Sequence, residues 1–191
     1  MKQLWTAPIL GLALTSFVAI TDKPAMAATL FQSNLTGSQE VPPVTTTGSG
    51  FATLELTGSP GNWVLDYEVT YSNLSSPIAA PYVHIHNAPF GSNGPIVHHV
   101  DGAEDPPIAG STSGTIIGDW RFDDPSDPLT DALVQQLQNG NLYFNIHTEE
   151  IPSGEIRGQI TAVPEPNSLM GLALVGGLGL LLKQRKTSNK I

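Results

Sequence analysis

The chain has no cysteine, and between Ala28 and Val163 its only bases are Arg121 and Arg157, set against fifteen acids. The first absence excludes a disulfide scaffold, a thiol nucleophile and a cysteine-ligated metal or cluster. The second excludes nucleic acid as a partner, because such a body repels a phosphate backbone. Helical periodicity is also scarce across this stretch. What the chain does have is apolar residues: 40% of it is hydrophobic and only 13% charged, which excludes a disordered polyelectrolyte. Roughly 135 residues lie between two unusual ends, enough for one domain with its own core.

The two ends carry the six remaining lysines and arginines. Met1-Lys2 precedes an apolar run from Ala7 to Ile20, and Ala25-Met26-Ala27 follows. A basic start, a short apolar segment and a small-x-small site predict a secretory signal peptide over 1–27, cleaved after Ala27. At the other end, Pro164-Glu165-Pro166 precedes an uncharged run, Leu169 to Leu182, and the cluster Lys183-Gln184-Arg185-Lys186. An apolar helix over about 168–182 is short for a membrane span, and the basic cluster would hold its end on the cytoplasmic side. The triplet, the apolar helix and the basic tail together resemble the PEP-CTERM sorting signal of exopolysaccharide-making bacteria, over 163–191. The resemblance implies anchoring in the inner membrane, then cleavage near the triplet by an exosortase-type peptidase and release to the cell surface or medium.

The middle, 28–162, alternates with period two. Trp63, Leu65, Tyr67 and Val69 interleave with Val64, Asp66, Glu68 and Thr70. Runs of this kind predict strands at Thr29–Leu35, Gly50–Leu56, Asn62–Tyr71, Tyr82–Asn87, Pro95–Val100, Thr112–Phe122, Leu142–Thr148 and Gly154–Ala162. Turn residues such as Ser59-Pro60-Gly61-Asn62 and Gly91-Ser92-Asn93-Gly94 separate them. The pattern is that of an all-β antiparallel sandwich or barrel. One short helix is expected, with Asp127 as cap, Pro128 in the first turn, an apolar face of Leu129, Ala132, Leu133 and Leu137, and Gly140 past its end.

All five histidines lie in the middle: His84, His86, His98, His99 and His147. A spacing of two puts His84 and His86 on one face of a strand, and Tyr143, Asn145 and His147 share a face of another. If these strands are neighbours, three imidazoles converge, a ligand set suited to zinc or copper at the surface of an acidic body. His98 and His99 point opposite ways, so at most one joins them. The alternative role is structural, with rings that hydrogen-bond loop carbonyls and fix turns. Glu155 and Arg157 share a strand face and are expected to pair with charges on a neighbouring strand. No nucleophile with a base and no facing pair of carboxylates stands out, so no catalytic residue is named.

Four blocks in order bring a family to view: Leu35-Thr36-Gly37-Ser38-Gln39-Glu40-Val41-Pro42-Pro43-Val44; His84-Ile85-His86-Asn87-Ala88 with Asn93-Gly94-Pro95; Leu142 to Thr148; and Gly154 to Ile160. From Leu30 to Ala162 the chain resembles the CHRD domain, first described in chordin and widespread in secreted microbial proteins. That resemblance implies an immunoglobulin-like β-sandwich and no assigned reaction. More distantly, the His-x-His pair with a later histidine on a strand is similar to the copper/zinc superoxide dismutase sandwich. The cysteine pair, the zinc-binding aspartate and the loop arginine of that family are missing, so it implies a copper or zinc site and not the activity. Two functions are expected. One is an exported binding or matrix module associated with exopolysaccharide or biofilm. The other is an extracytoplasmic copper- or zinc-binding protein using His84, His86 and His147, with His98 or His99 as a fourth ligand and weak redox chemistry.

Overall fold

The chain was described from a computed structural model covering residues 28–100, 102–103 and 108–164. The signal-peptide reading, with Ala25 and Ala27, and the sorting-signal reading from Glu165 and Pro166 through the apolar helix at 168–182, lie outside the described residues. Pro164 is the last residue described. Among the described residues no helix is long and apolar enough to cross a membrane.

The strands are β1 (Thr29–Thr36), β2 (Ser49–Ser59), β3 (Asn62–Ser72), β4 (Ile78–Asn87), β5 (Ile96–His99), β6 (Gly114–Arg121), β7 (Leu142–Thr148), β8 (Ile156–Gln159) and β9 (Thr161–Ala162), with one α-helix, α1 (Asp131–Gln138). Pairing is antiparallel throughout. The order is β5-β4-β7-β8-β1-β2-β3-β6, with β9 on β1. The expected all-β antiparallel fold is therefore what forms. The pairing of Thr36 with Arg157 joins β1 to β8, so the sheet is continuous and rolls into a nearly closed barrel.

Period-two alternation explains the roll. Phe31 and Leu35, Leu54 and Leu56, Leu65 and Val69, Val83 and Ile85, Ile116 and Trp120, and Leu142, Phe144 and Ile146 all point inward and are buried. Burying one such side chain stabilises by about 1.5–3 kcal/mol before the entropy cost of ordering it. The sheet's free edges, β5 and β6, approach where His98 stacks on Trp120, with ring centroids 4.8 Å apart. Tyr67 Oη lies 3.3 Å from His98 Nε2 beneath them.

The helix begins later than the sequence suggests. Thr130, not Asp127, is its cap, and Thr130 Oγ1 accepts from the Leu133 amide, an arrangement that adds about 1 kcal/mol. Pro128 and Leu129 precede the helix, Ala132 is exposed, and Val134 and Leu137 enter the core. Asp131 Oδ1 accepts from Gly61 N and Trp63 Nε1, which ties the helix to the β2–β3 turn. The predicted last strand is also divided, into β8 and β9, with Glu155 just outside it.

Candidate metal centre

Neighbouring strands carry the histidines together. His84 on β4 pairs with Asn145 on β7 and with His99 on β5, and β4 and β7 are hydrogen-bonded along most of their length. The face of β7 opposite the core bears Tyr143, Asn145 and His147, and all seven residues of β7 are buried. The expected solvent face is thus a second, polar interior, roofed by residues 37–48 and 88–95.

One ring nitrogen from each of His84, His86 and His147 lies within 4.8 Å of the others. Their exposures are 2%, 9% and 5%, so the expected surface position is corrected to a buried one. Two of the rings are aimed by loop carbonyls. His86 Nδ1 is 3.0 Å from Gly94 O, and His147 Nδ1 is 3.0 Å from Pro152 O. A carbonyl only accepts, so each Nδ1 carries the proton and each Nε2 keeps its lone pair. Those lone-pair atoms, His86 Nε2 and His147 Nε2, are buried and accept no hydrogen bond from the protein, as is His84 Nδ1. A turn-fixing role accounts for the Nδ1 contacts of His86 and His147 but leaves one nitrogen on each of the three rings, His84 Nδ1, His86 Nε2 and His147 Nε2, buried without a partner. Such atoms carry a desolvation cost unless something binds them.

The rings are also held neutral, the form a metal ligand needs. Burial lowers the His84 pKa to about 3, with further repulsion from His147, His99 and His86. Burial lowers His147 to about 4, against the pull of its bond to Pro152. Burial likewise lowers His86, whose bond to the Gly94 carbonyl opposes the shift and whose neighbour Arg157 adds to it.

The other two histidines part ways. His99 lies on the cluster's side, its ring centroid 4.9 Å from that of His84, and is 67% exposed. Asp127 Oδ2 accepts from both its Nδ1, at 2.9 Å, and its backbone amide, at 2.7 Å. Asp127, the residue the sequence offers as helix cap, thus orients His99 instead. His98 points into the barrel and takes no part in the cluster. Its Nδ1 is 3.9 Å from Asp127 Oδ2, too far for a hydrogen bond, and burial lowers its pKa to about 4, so the two do not form an ion pair.

Glu155 and Arg157 do not form cross-strand ion pairs. Glu155 is fully buried and accepts from Thr46 Oγ1, Ser75 N, Ser75 Oγ and Thr148 Oγ1. Arg157 lies over the Tyr143 ring, its Cζ 3.4 Å from the centroid, and Tyr143 stacks on His86 at 4.9 Å and 7°. Sequence reasoning missed Glu40, which is 6% exposed and whose pKa burial raises to about 7, despite the nearby Arg157. Its only sequence signal was a lone acid in an apolar, proline-rich stretch.

A hollow of about 390 Å³ lies elsewhere, on the outer face of β1, β2, β3 and β6. Leu30, Glu55, Asp66, Glu68 and Ile117 line it, and it shares no residue with the histidine cluster. It is an open sheet face on which Glu55, Asp66 and Glu68 are exposed.

The model of one family, described as the CHRD domain, matches residues 31–160. No curated protein and no solved structure gives a match.

Proposed function

Because the chain belongs to the CHRD domain family, we propose that its domain is an exported metal-binding module that holds one copper or zinc ion on His84, His86 and His147. The observation that carries this reading is the set of three buried, unpartnered imidazole nitrogens on adjoining strands. Three neutral imidazoles with no thiolate suit zinc or copper and leave a coordination position open. His99 stands beside that position on the solvent side, braced by Asp127. The terminal sequence features support export and processing, and an extracytoplasmic setting is where a cysteine-free metal site escapes competition from reduced thiols. Association with exopolysaccharide rests on the sorting-signal resemblance alone.

Calorimetric titration of the purified full chain in detergent with zinc(II) and with copper(II) tests the reading. One ion per chain is expected, lost on His147→Ala with the circular dichroism spectrum retained. Unchanged binding by that variant would refute the assignment.

A further inference from the structure

His86 is aimed by a carbonyl on a loop, and loops hold position only if something fixes them. Residues 88–95, between β4 and β5, contain no regular structure. Among the polar contacts that hold them, four bear on residues 92–94. Arg157 Nη2 donates to Ser92 O at 2.8 Å and Arg157 Nη1 to Asn93 Oδ1 at 3.3 Å. Asn93 Nδ2 donates to Val41 O at 2.8 Å, and the Gly94 amide donates to Tyr143 Oη at 3.2 Å. The backbone of Gly94 therefore donates to Tyr143 through its amide and accepts from His86 through its carbonyl. Residue 94 must be glycine for this, since a Cβ would fall 2.0 Å from the Asn87 carbonyl oxygen.

The same residues hold the ring face. The Arg157 guanidinium, Tyr143 and His86 form one continuous stack. Arg157 is 1% exposed, and its bonds above go to a carbonyl and an amide oxygen, with no carboxylate accepting from it. A buried cation is costly without a partner. The Tyr143 face, the nearby Glu40 carboxyl and the loop oxygens offset that cost, the loop oxygens only while the loop is closed down. Arg157 thus couples closure of the 88–95 loop to the orientation of one imidazole.

We infer that Arg157 is a positioning residue for the metal centre: through Tyr143 and the 88–95 loop it fixes the Gly94 carbonyl that directs His86. This rests on the metal-binding reading, and its test separates the two. His147 provides an internal control, because Pro152 O orients it from a different loop, to which neither of those Arg157 hydrogen bonds goes.

The experiment is nitrogen-15 NMR of the imidazoles in the metal-free full chain, with zinc affinity measured in parallel. Arg157→Lys keeps the charge but cannot hold Ser92 O and Asn93 Oδ1 together or cover the Tyr143 ring. The expected result is a mixture of tautomers at His86, an unchanged Nδ1–H tautomer at His147, and zinc binding weaker by about 10–100-fold, as for other outer partners of metal ligands. Asn93→Ala, at an exposed position, removes the contacts to Arg157 Nη1 and Val41 O but keeps the Arg157 bond to Ser92 O and the Tyr143 stack, and should shift His86 in the same direction by less. Tautomer changes at both rings together, or at neither, would overturn the inference, as would a His86 change with zinc affinity intact. If His86 alone responds and neither protein binds zinc or copper, the positioning of the ring stands and the metal reading falls.

Discussion

His98 of β5 stacks on Trp120 of β6 with ring planes 15° apart, and this contact joins the two strands at opposite ends of the sheet. Among the described residues no hydrogen-bonded ladder links β5 to β6, so closure rests on side chains here. His98→Ala should remove a large buried ring and lower stability by about 2–4 kcal/mol. Metal stoichiometry should stay the same, since the ring faces the barrel and not the cluster. Chemical denaturation with elemental analysis checks both, and loss of metal from a folded variant would contradict this assignment.

Acid should act on the histidines in a definite direction. His84, His98 and His147 are neutral when folded, with pKa values lowered from 6.5 to about 3, 4 and 4. The unfolded chain takes up protons first, so metal-free stability should fall as pH drops from about 6.5 towards 4. Metal should be retained from pH 7 to about pH 5, where an exposed imidazole site of ordinary pKa has begun to release it. Thermal melts and metal retention across that range test this. Release centred near pH 6.5 would contradict it.

Glu40 works in the opposite sense. Its pKa is raised from 4.5 to about 7 by burial, so the unfolded chain loses its proton before the folded one does. The stability it contributes is present below about pH 4.5 and is lost as pH rises through about 7. Glu40→Gln should therefore raise the melting temperature at pH 8 and leave it nearly unchanged at pH 4. An equal effect at both values would rule out titration of this side chain.

Glu155 ties three segments by accepting from Thr46, Ser75 and Thr148. Glu155→Ala leaves the buried Thr148 hydroxyl without its acceptor and releases the half-buried Thr46 and the exposed Ser75, and should cost about 1–3 kcal/mol. Denaturant titration measures it, and a cost under about 1 kcal/mol would show that water takes over the donors.

Alternation made most strands legible from sequence, because an inward face of Trp63, Leu65, Tyr67 and Val69 allows only one register. His84 and His86 were legible as a same-face pair for the same reason. The continuity of the sheet was not, since it depends on one long-range pairing, Thr36 with Arg157. Nor was the burial of the outer face of β7. Tyr143, Asn145 and His147 look like a wet face until the 37–48 and 88–95 segments are folded over them. Asp127 misled because a cap and a histidine partner look alike in sequence. The nearer Thr130 has the extended backbone a cap needs, with φ −71° and ψ 159°.

The central claim concerns where an ion sits. Crystals of the zinc- or copper-loaded protein, with data collected on both sides of the metal's absorption edge, locate it directly. One anomalous peak within bonding distance of His84, His86 and His147 is predicted. A peak elsewhere, or none from protein loaded at one ion per chain, would contradict the account.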